Sequence, residues 1–466
     1  MVIIVIKYDV VVVGGGPGGL AAAAAAKRQG AERVLLLERE NMVGGILNQC
    51  IHEGFGLHRY KAQLSGPEYA ECSEREAIDA GVEIKTGFFV INIGNNRVVT
   101  AVSREGMFRF GAKAIVLATG CRERTRGSIS IPGTRPAGIF TAGVAQNLIN
   151  QKNIMIGRRV VILGSGDIGL ILARRLTLEG AQVLAVIESM KSPGGLMRNV
   201  SQCIFDFSIP FYLEHTVSRI IGNKRLTAVE ISKVDKDKRI IPGSSWELEC
   251  DTLILSVGLI PENELAKDMG VQLDDRTNSV LTDDYLQTNI PGVFSCGNSR
   301  RVMDLADFVS EQGELAGKNA VSYIKRDHLE AWEEKESLKM QKGLPAPGTI
   351  ICTLCPNGCQ LLVKDGGKIE GNRCSRGEGF ALQECYSPER ILTTTVRVTG
   401  ATAPVVAVRS DRPVKKSELC ILLGELHKCK VQAPIMSGQV LFTGVGEKRV
   451  NIIAEHKIES YSKRHK

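Results

Sequence analysis

The 466-residue chain has no run of about 20 apolar residues, the length a helix needs to cross a bilayer, so no membrane span is expected. Peripheral attachment to a membrane is left open by this. No secretory leader is expected either. The apolar opening MVIIVIKYDV runs directly into a glycine-rich turn and reads as a first buried strand. The 13 cysteines are therefore expected in a reducing cytoplasm, free for metal rather than paired as disulfides. The net charge is +8, and residues 347–466 hold 18 Lys/Arg against 11 Asp/Glu. No basic–aromatic stripe accompanies that excess, which argues against nucleic acid. A positive surface around an anionic centre, or facing an acidic partner, accounts for it better. Neither a Ser-His-Asp arrangement nor a carboxylate pair stands out, so the hard chemistry is expected to belong to cofactors.

What the chain has in abundance is glycine, 49 residues, much of it in compact motifs. Residues 8–13 are an apolar run suited to a buried parallel strand. Gly14-Gly15-Gly16-Pro17-Gly18-Gly19 follows, then an alanine-rich helix, then a second apolar run ending in Glu38. Gly14 permits the tight turn, Gly16 lets backbone approach a pyrophosphate, and Gly19 allows close helix–strand packing. Glu38 closes the second strand at the interval after Gly19 where an acid can accept ribose hydroxyls.

The pattern returns further along the chain. An apolar strand leads into Gly164-Ser165-Gly166-Asp167-Ile168-Gly169, a helix follows, and the next strand ends in Glu188. The spacing from Gly169 to Glu188 equals that from Gly19 to Glu38. A carboxylate there favours a ribose with two free hydroxyls and repels a 2′-phosphate, and Lys191 is the nearest following cation. NAD(H) is expected over NADP(H). Two dinucleotide turns imply two cofactors, one held and one visiting.

This arrangement resembles the two-dinucleotide-domain flavoproteins, which include the pyridine nucleotide–disulfide reductases. The resemblance covers about residues 7–325. It implies FAD in the first domain and NAD(H) in a second domain inserted into it. Thr119 and Gly120, in Ala118-Thr119-Gly120, would touch the FAD region. Gly258 would mark the turn leaving the NAD domain. Gly297 and Asn298 match the late FAD motif, although Asn298 stands where aspartate is usual; an amide can still serve a hydroxyl. Residues 313–320 would form a helix starting near the flavin ring. Gly45 belongs to the Gly-Gly pair that follows the first acid. After that pair the disulfide reductases carry Cys-x4-Cys, but this chain has Cys50 alone, followed by His52. A dithiol shuttle is not expected there. Cys50 and His52 are instead the candidate catalytic residues, His52 for proton handling.

In wording, GGILNQCIHEGFG, ATGCRERTRG and DLADFVSEQGELAGKNA resemble oxidoreductases that accompany anaerobic glycerol-3-phosphate dehydrogenase. They resemble more loosely the large subunits of amine and opine oxidases. That resemblance implies a second FAD-containing dehydrogenase subunit as partner, and an oligomer. The alternatives are a stand-alone NADH oxidase or amine-oxidase-type subunit, or a zinc-stabilised redox sensor or scaffold.

Beyond residue 325 the composition changes. Cys352-x2-Cys355-x3-Cys359-x14-Cys374 offers four soft ligands in a three-plus-one layout, which suits a [4Fe–4S] cluster better than the paired knuckles of zinc. The line around Cys374 also resembles the iron–sulfur domain of molybdopterin oxidoreductases, and, more closely, an uncharacterised C-terminal domain found with these flavoproteins. The expected class is therefore α/β. Two Rossmann-like domains, FAD-binding (1–125 and 251–325) and NAD-binding (126–250), precede a linker helix (326–348). A small cysteine-rich metal domain of short strands (349–466) completes the chain. Electrons would pass between nicotinamide, flavin and the C-terminal cluster.

Overall fold

The apolar opening forms the strand Val5–Val13, whose last four residues are all buried. A strand with no polar face needs neighbours on both edges. Val34–Glu38 pairs parallel on one side, with Val13 opposite Leu37; Gly106–Leu117 pairs parallel on the other, with Val13 opposite Leu117. The computed structural model describes residues 5–334, 344–346, 348–364 and 367–461. The chain divides into two compact units: Met1–Arg122 with Leu259–Ser337, and Glu123–Gly258 with Leu338–Lys466.

In the first unit the main sheet runs Glu83–Thr86, Val34–Glu38, Val5–Val13, Gly106–Leu117, Val98–Ser103, Phe89–Ile93, and Val293–Ser295 pairs parallel with the end of Gly106–Leu117. The chain winds to one side of Val5–Val13 and then crosses to the other. Such a reversal opens a crevice at the carboxyl ends of the strands, where the Gly14 turn lies. The helices Pro17–Arg28 and Ala306–Lys325 meet backbone to backbone. A Cβ on Gly313 would stand 2.1 Å from the Gly18 carbonyl oxygen, and one on Gly317 would stand 2.1 Å from that of Ala22.

The second unit repeats the plan. A parallel sheet runs Ile139–Thr141, Thr252–Leu255, Arg159–Leu163, Gln182–Glu188, Phe211–Leu213. A three-stranded antiparallel sheet, His215–Gly222, Leu226–Lys233 and Trp246–Glu249, packs its apolar residues against that sheet's core. The stretch expected as a linker helix is not helical over its described residues, 326–334, 344–346 and 348; residues 335–343 and 347 lie outside the described residues. Among the described residues no helix is long and apolar enough to cross a membrane.

The C-terminal segment corrects the expected metal domain. Its five-stranded sheet, ordered Lys430–Gln432, Thr393–Thr399, Val405–Ser410, Val450–Ala454, Val440–Val445, shares an apolar core with the helix Leu419–Leu426. Val396, Val406, Val408, Val450 and Ile452 are fully shielded. Hydrophobic burial of this extent organises a domain without a metal staple. Leu178, at the end of the helix Asp167–Leu178, joins this core, so the segment is packed onto the NAD-type sheet's own helix.

Within that segment burial pulls the His456 imidazole down to about 4, and its Nδ1 has no hydrogen-bond partner among the described residues. In the unfolded chain the same ring titrates near 6.5. Between these values the unfolded chain binds the extra proton, so the contribution to stability is full above pH 6.5 and is lost as pH falls toward 4. Urea unfolding at pH 7 and pH 5 should differ by on the order of 2 kcal/mol through this group, and His456→Leu should flatten that difference. An unchanged pH slope in the variant would remove His456 as its source.

Candidate active site

The first glycine turn is built by close approach. Gly14 has φ +107°, and a Cβ on it would lie 2.2 Å from the Ala118 carbonyl oxygen; one on Gly19 would lie 1.8 Å from that of Gly14. Gly16 differs, because a Cβ there would meet nothing within 4 Å. Its Cα faces open space, bounded by Gly45, whose own Cβ would come within 3.3 Å of it. The helix Pro17–Arg28 starts at Gly16 with no side-chain cap. Its first N–H groups are left for an anionic ligand. Glu38 is 6% exposed and accepts from Gly15 N at 2.7 Å and Glu40 N at 2.8 Å. A carboxylate has about four acceptor positions, so two remain for ribose hydroxyls.

The second turn has the same frame. Gly164 has φ +98°, and its Cβ would lie 2.0 Å from the Ser256 carbonyl oxygen; one on Gly169 would lie 2.8 Å from Ser256 Cβ. Gly166 again starts an uncapped helix, Asp167–Leu178, with only the Ser256 hydroxyl near its Cβ direction. Glu188 accepts from Ser165 N at 3.0 Å and Met190 N at 2.9 Å, as Glu38 does from Gly15 and Glu40. The hydroxyls of Ser165 and Ser189 add two further bonds, at 2.7 and 3.4 Å. Spacing alone did not reveal these serines. Nor did it explain an acid inside a phosphate-binding turn: Asp167 turns its carboxylate aside to accept from Leu196 N at 2.7 Å and Asn199 Nδ2 at 2.8 Å.

Other expected residues surround the first turn. Ala118 N donates to Val13 O at 2.9 Å, which seats Thr119 and Gly120 (φ +72°) at the end of the central strands. Gly297 (φ +68°) donates its N–H to Gln312 Oε1 at 2.8 Å. Asn298 Oδ1 accepts from Met303 N at 3.0 Å. Gln312 was missed by sequence reasoning. It is fully buried, and its Nε2 has no partner among the described residues. An open slot walled by backbone and an unspent buried donor fit FAD in this unit. In the other unit Gly258 (φ +100°) lies at the end of Thr252–Leu255 beside the Arg124 side chain.

Cys50 donates its Sγ–H to Ile46 O at 3.3 Å, and burial pushes the thiol up to about 12. It is a neutral thiol at physiological pH, a poor nucleophile. The His52 ring lies tilted by 37° against that of Phe55, with centroids 5.0 Å apart, and its Nδ1 lies 3.1 Å from Glu53 O.

The four C-terminal cysteines do not form the expected metal centre. Cys352 and Cys359 face each other across short paired strands, Cys352 N donating to Cys359 O at 2.9 Å, and both are buried in a small apolar cluster with Leu361 and Ala381. Cys355 is half-buried, and Cys374 is exposed at the start of the helix Ser375–Tyr386. The thiols are near enough to influence one another: burial raises the Cys352 thiol, with Cys355, Cys359 and Cys374 adding to the effect. Cys374 is lowered instead, by the backbone N–H of Gly377 and by Arg376. Yet among the described residues no group of three or more His, Cys, Asp or Glu could hold a metal ion. The iron–sulfur expectation is withdrawn, and the zinc alternative with it. The expected passage of electrons to a C-terminal cluster falls for the same reason, and with it the expected function as a cluster-bearing electron-transfer subunit.

Comparison with known proteins agrees with this division. Residues 8–313 match the family described as pyridine nucleotide-disulphide oxidoreductase. Residues 375–456 match a family described only as a protein of unknown function, DUF1667, and the match begins immediately after Cys374. Thioredoxin reductase of Listeria innocua is 29% identical over 276 residues, 58% of this chain and 76% of that protein. Dihydrolipoyl dehydrogenase of Acholeplasma laidlawii is 30% identical over 241 residues, 51% of this chain and 64% of that protein. The fold of Lactococcus lactis thioredoxin reductase superimposes with a TM-score of 0.57 at 24% identity, covering 69% of this chain and all of that one. The chain belongs to the pyridine nucleotide-disulphide oxidoreductase family and is an FAD-dependent NAD(H) oxidoreductase.

Proposed function

We propose that the first turn holds FAD, that the second admits NAD(H), and that hydride passes between the two. The observation that carries this reading is the repeated frame: a bare glycine at the head of an uncapped helix, and an acid fixed by the N–H of the turn's second residue, at Gly16 and Glu38 and again at Gly166 and Glu188. Bound FAD would supply the hydride-accepting ring. The protein's part is to bind, orient and insulate. Gly16 and Gly166 offer backbone N–H groups to phosphates, Glu38 receives ribose hydroxyls, and Gln312 positions Gly297 while keeping its amide N–H groups for the cofactor. Glu188 repels a 2′-phosphate, which favours NADH over NADPH. A reducing, cytoplasmic setting suits the 13 cysteines, which form no disulfide among the described residues.

The test is anaerobic addition of NADH to the flavin-loaded protein. The flavin absorbance should bleach with NADH, at least about tenfold less efficiently with NADPH, and not detectably in Gly166→Val. Equal bleaching in Gly166→Val would sink the assignment of the second turn. Dithiol exchange at the Cys50 position is not part of this function, because one neutral thiol supplies neither the second sulfur nor the thiolate it needs. Cys50→Ala should therefore keep the bleaching rate within about twofold. A hundredfold loss would restore a catalytic role to Cys50.

A further inference from the structure

The two halves agree beyond the glycine turn and its acid. Gly44 and Gly45 follow Glu38 at the same interval at which Gly194 and Gly195 follow Glu188. Both pairs fold back onto their turn. Gly44 N donates to Gly15 O at 2.7 Å, and Gly194 N donates to Ser165 Oγ at 2.8 Å. A Cβ on Gly45 would come 3.3 Å from Gly16 Cα, and one on Gly194 would come 3.6 Å from Gly166 N. A Cβ on Gly195 would strike Asp167 Oδ1 at 2.6 Å. Residues 189–196 thus form a strap clipped to the second turn at Glu188, Ser165 and Asp167.

One difference separates the halves. Gly15 has no side chain, whereas Ser165 Oγ donates to Glu188 Oε2 at 2.7 Å while it accepts from Gly194 N. With two N–H and two hydroxyl donors, all four acceptor positions of Glu188 are taken. A ribose hydroxyl must displace one of them, and the Ser165 and Ser189 hydroxyls are the donors free to rotate.

Resting on the assignment of NAD(H) to the second turn, we propose that residues 189–196 are a second grip on its pyrophosphate and adjoining ribose, and that Ser165 is the positioning residue that latches it. Gly194 and Gly195 let the strap's backbone pack directly beside that of the turn, next to the helix N-terminus that receives the pyrophosphate. Ser165 holds the strap in register and yields Glu188 to the ribose. The far end of the strap continues into the helix Met197–Cys203, which the C-terminal segment braces: a Cβ on Gly358 would lie 3.3 Å from Arg198 N and 3.5 Å from Met197 Cβ.

The variants Ser165→Ala, Ser165→Thr and Gly194→Val separate this from a purely structural role. NAD+ affinity would be measured by calorimetry on the flavin-loaded protein, and the half-saturation and limiting rate of flavin reduction by stopped flow. Ser165→Ala should weaken NAD+ binding and raise the NADH half-saturation about tenfold, the effect of one lost hydrogen bond, with the limiting rate within about twofold and flavin content unchanged. Ser165→Thr should restore affinity. Gly194→Val should weaken binding further at an unchanged melting temperature. Unchanged NAD+ affinity in both Ser165→Ala and Gly194→Val would overturn the grip while leaving the second turn as the NAD(H) site. If Gly166→Val also left NAD+ binding unchanged, the assignment of that turn would fail and the grip with it.

Discussion

Gly16→Val should give a stable protein that takes up no FAD, whereas Gly19→Val should give a strongly destabilised one. Both replace a glycine of one motif with the same side chain, and the difference lies in what the new Cβ meets. At Gly19 it would stand 1.8 Å from the Gly14 carbonyl oxygen. Two stretches of backbone would have to part, in the middle of the packing between the helix Pro17–Arg28 and the central strand. Overpacking typically costs about 1–3 kcal/mol and occasionally more, and a clash of backbone with backbone stands at the upper end, a large share of a total stability of roughly 5–15 kcal/mol. At Gly16 nothing lies within 4 Å, and φ is −73°, a value any residue adopts. The isopropyl group would instead fill the space that a pyrophosphate needs to reach the helix N-terminus. Flavin content after reconstitution and a thermal melt of the flavin-free form measure the two effects separately. The flavin-free comparison matters because bound FAD itself raises the melting temperature. Gly16→Val retaining stoichiometric flavin would contradict the placement of the cofactor at this turn.

Much of this site was legible in the sequence because its constraints are local. A glycine forced by close approach, an apolar strand and an acid at a set interval are all written between Tyr8 and Glu38, and the repeat doubles the signal. The strap was equally local: the Gly-Gly pair stands at the same interval after Glu188 as after Glu38, and comparing the two halves past their acids would have found it. Gln312 is another matter, since it meets Gly297 only after the chain returns through the helix Ala306–Lys325. The C-terminal segment misled because spacing between cysteines carries no information about burial. The thiols of Cys352, Cys355, Cys359 and Cys374 read alike along the chain, but two are packed against Leu361, one is half-buried and one opens a helix in solvent. What organises that segment is the core around Val396 and Val408, drawn from positions as far apart as Leu392 and Ile458 with no short motif to announce it.

The attachment of that core to the NAD-type sheet predicts a second large effect. Arg390 is 7% exposed and forks between two carboxylates: Nε reaches Asp206 Oδ2 at 2.9 Å, and Nη1 reaches Glu384 Oε2 at 2.7 Å. Asp206, 9% exposed, also accepts from Lys416 Nζ at 2.6 Å. Burial works against the Arg390 charge, but the hydrogen bond to Glu384 and the charge of Asp206 outweigh it and hold its pKa above the usual arginine value. Asp206 comes from the NAD-type fold and the other three from the C-terminal segment, so the network ties one to the other. Removing the guanidinium leaves the Glu384 carboxylate without its arginine and Asp206 with Lys416 alone. Breaking a buried pair from one side typically costs about 3–5 kcal/mol. Arg390→Met should lower stability by about that amount and speed hydrogen exchange in the strand Thr393–Thr399 more than in Val5–Val13. The triple variant Arg390→Met, Asp206→Leu, Glu384→Met should recover most of the loss, since apolar groups of similar volume often replace such a network at little net cost. A loss below about 1 kcal/mol in the single variant would mean that solvent screens these charges as it does a surface pair, and that the apolar contacts around Leu178 and the hydrogen bonds of Arg175 to Thr394 and Thr395 hold the C-terminal segment in place.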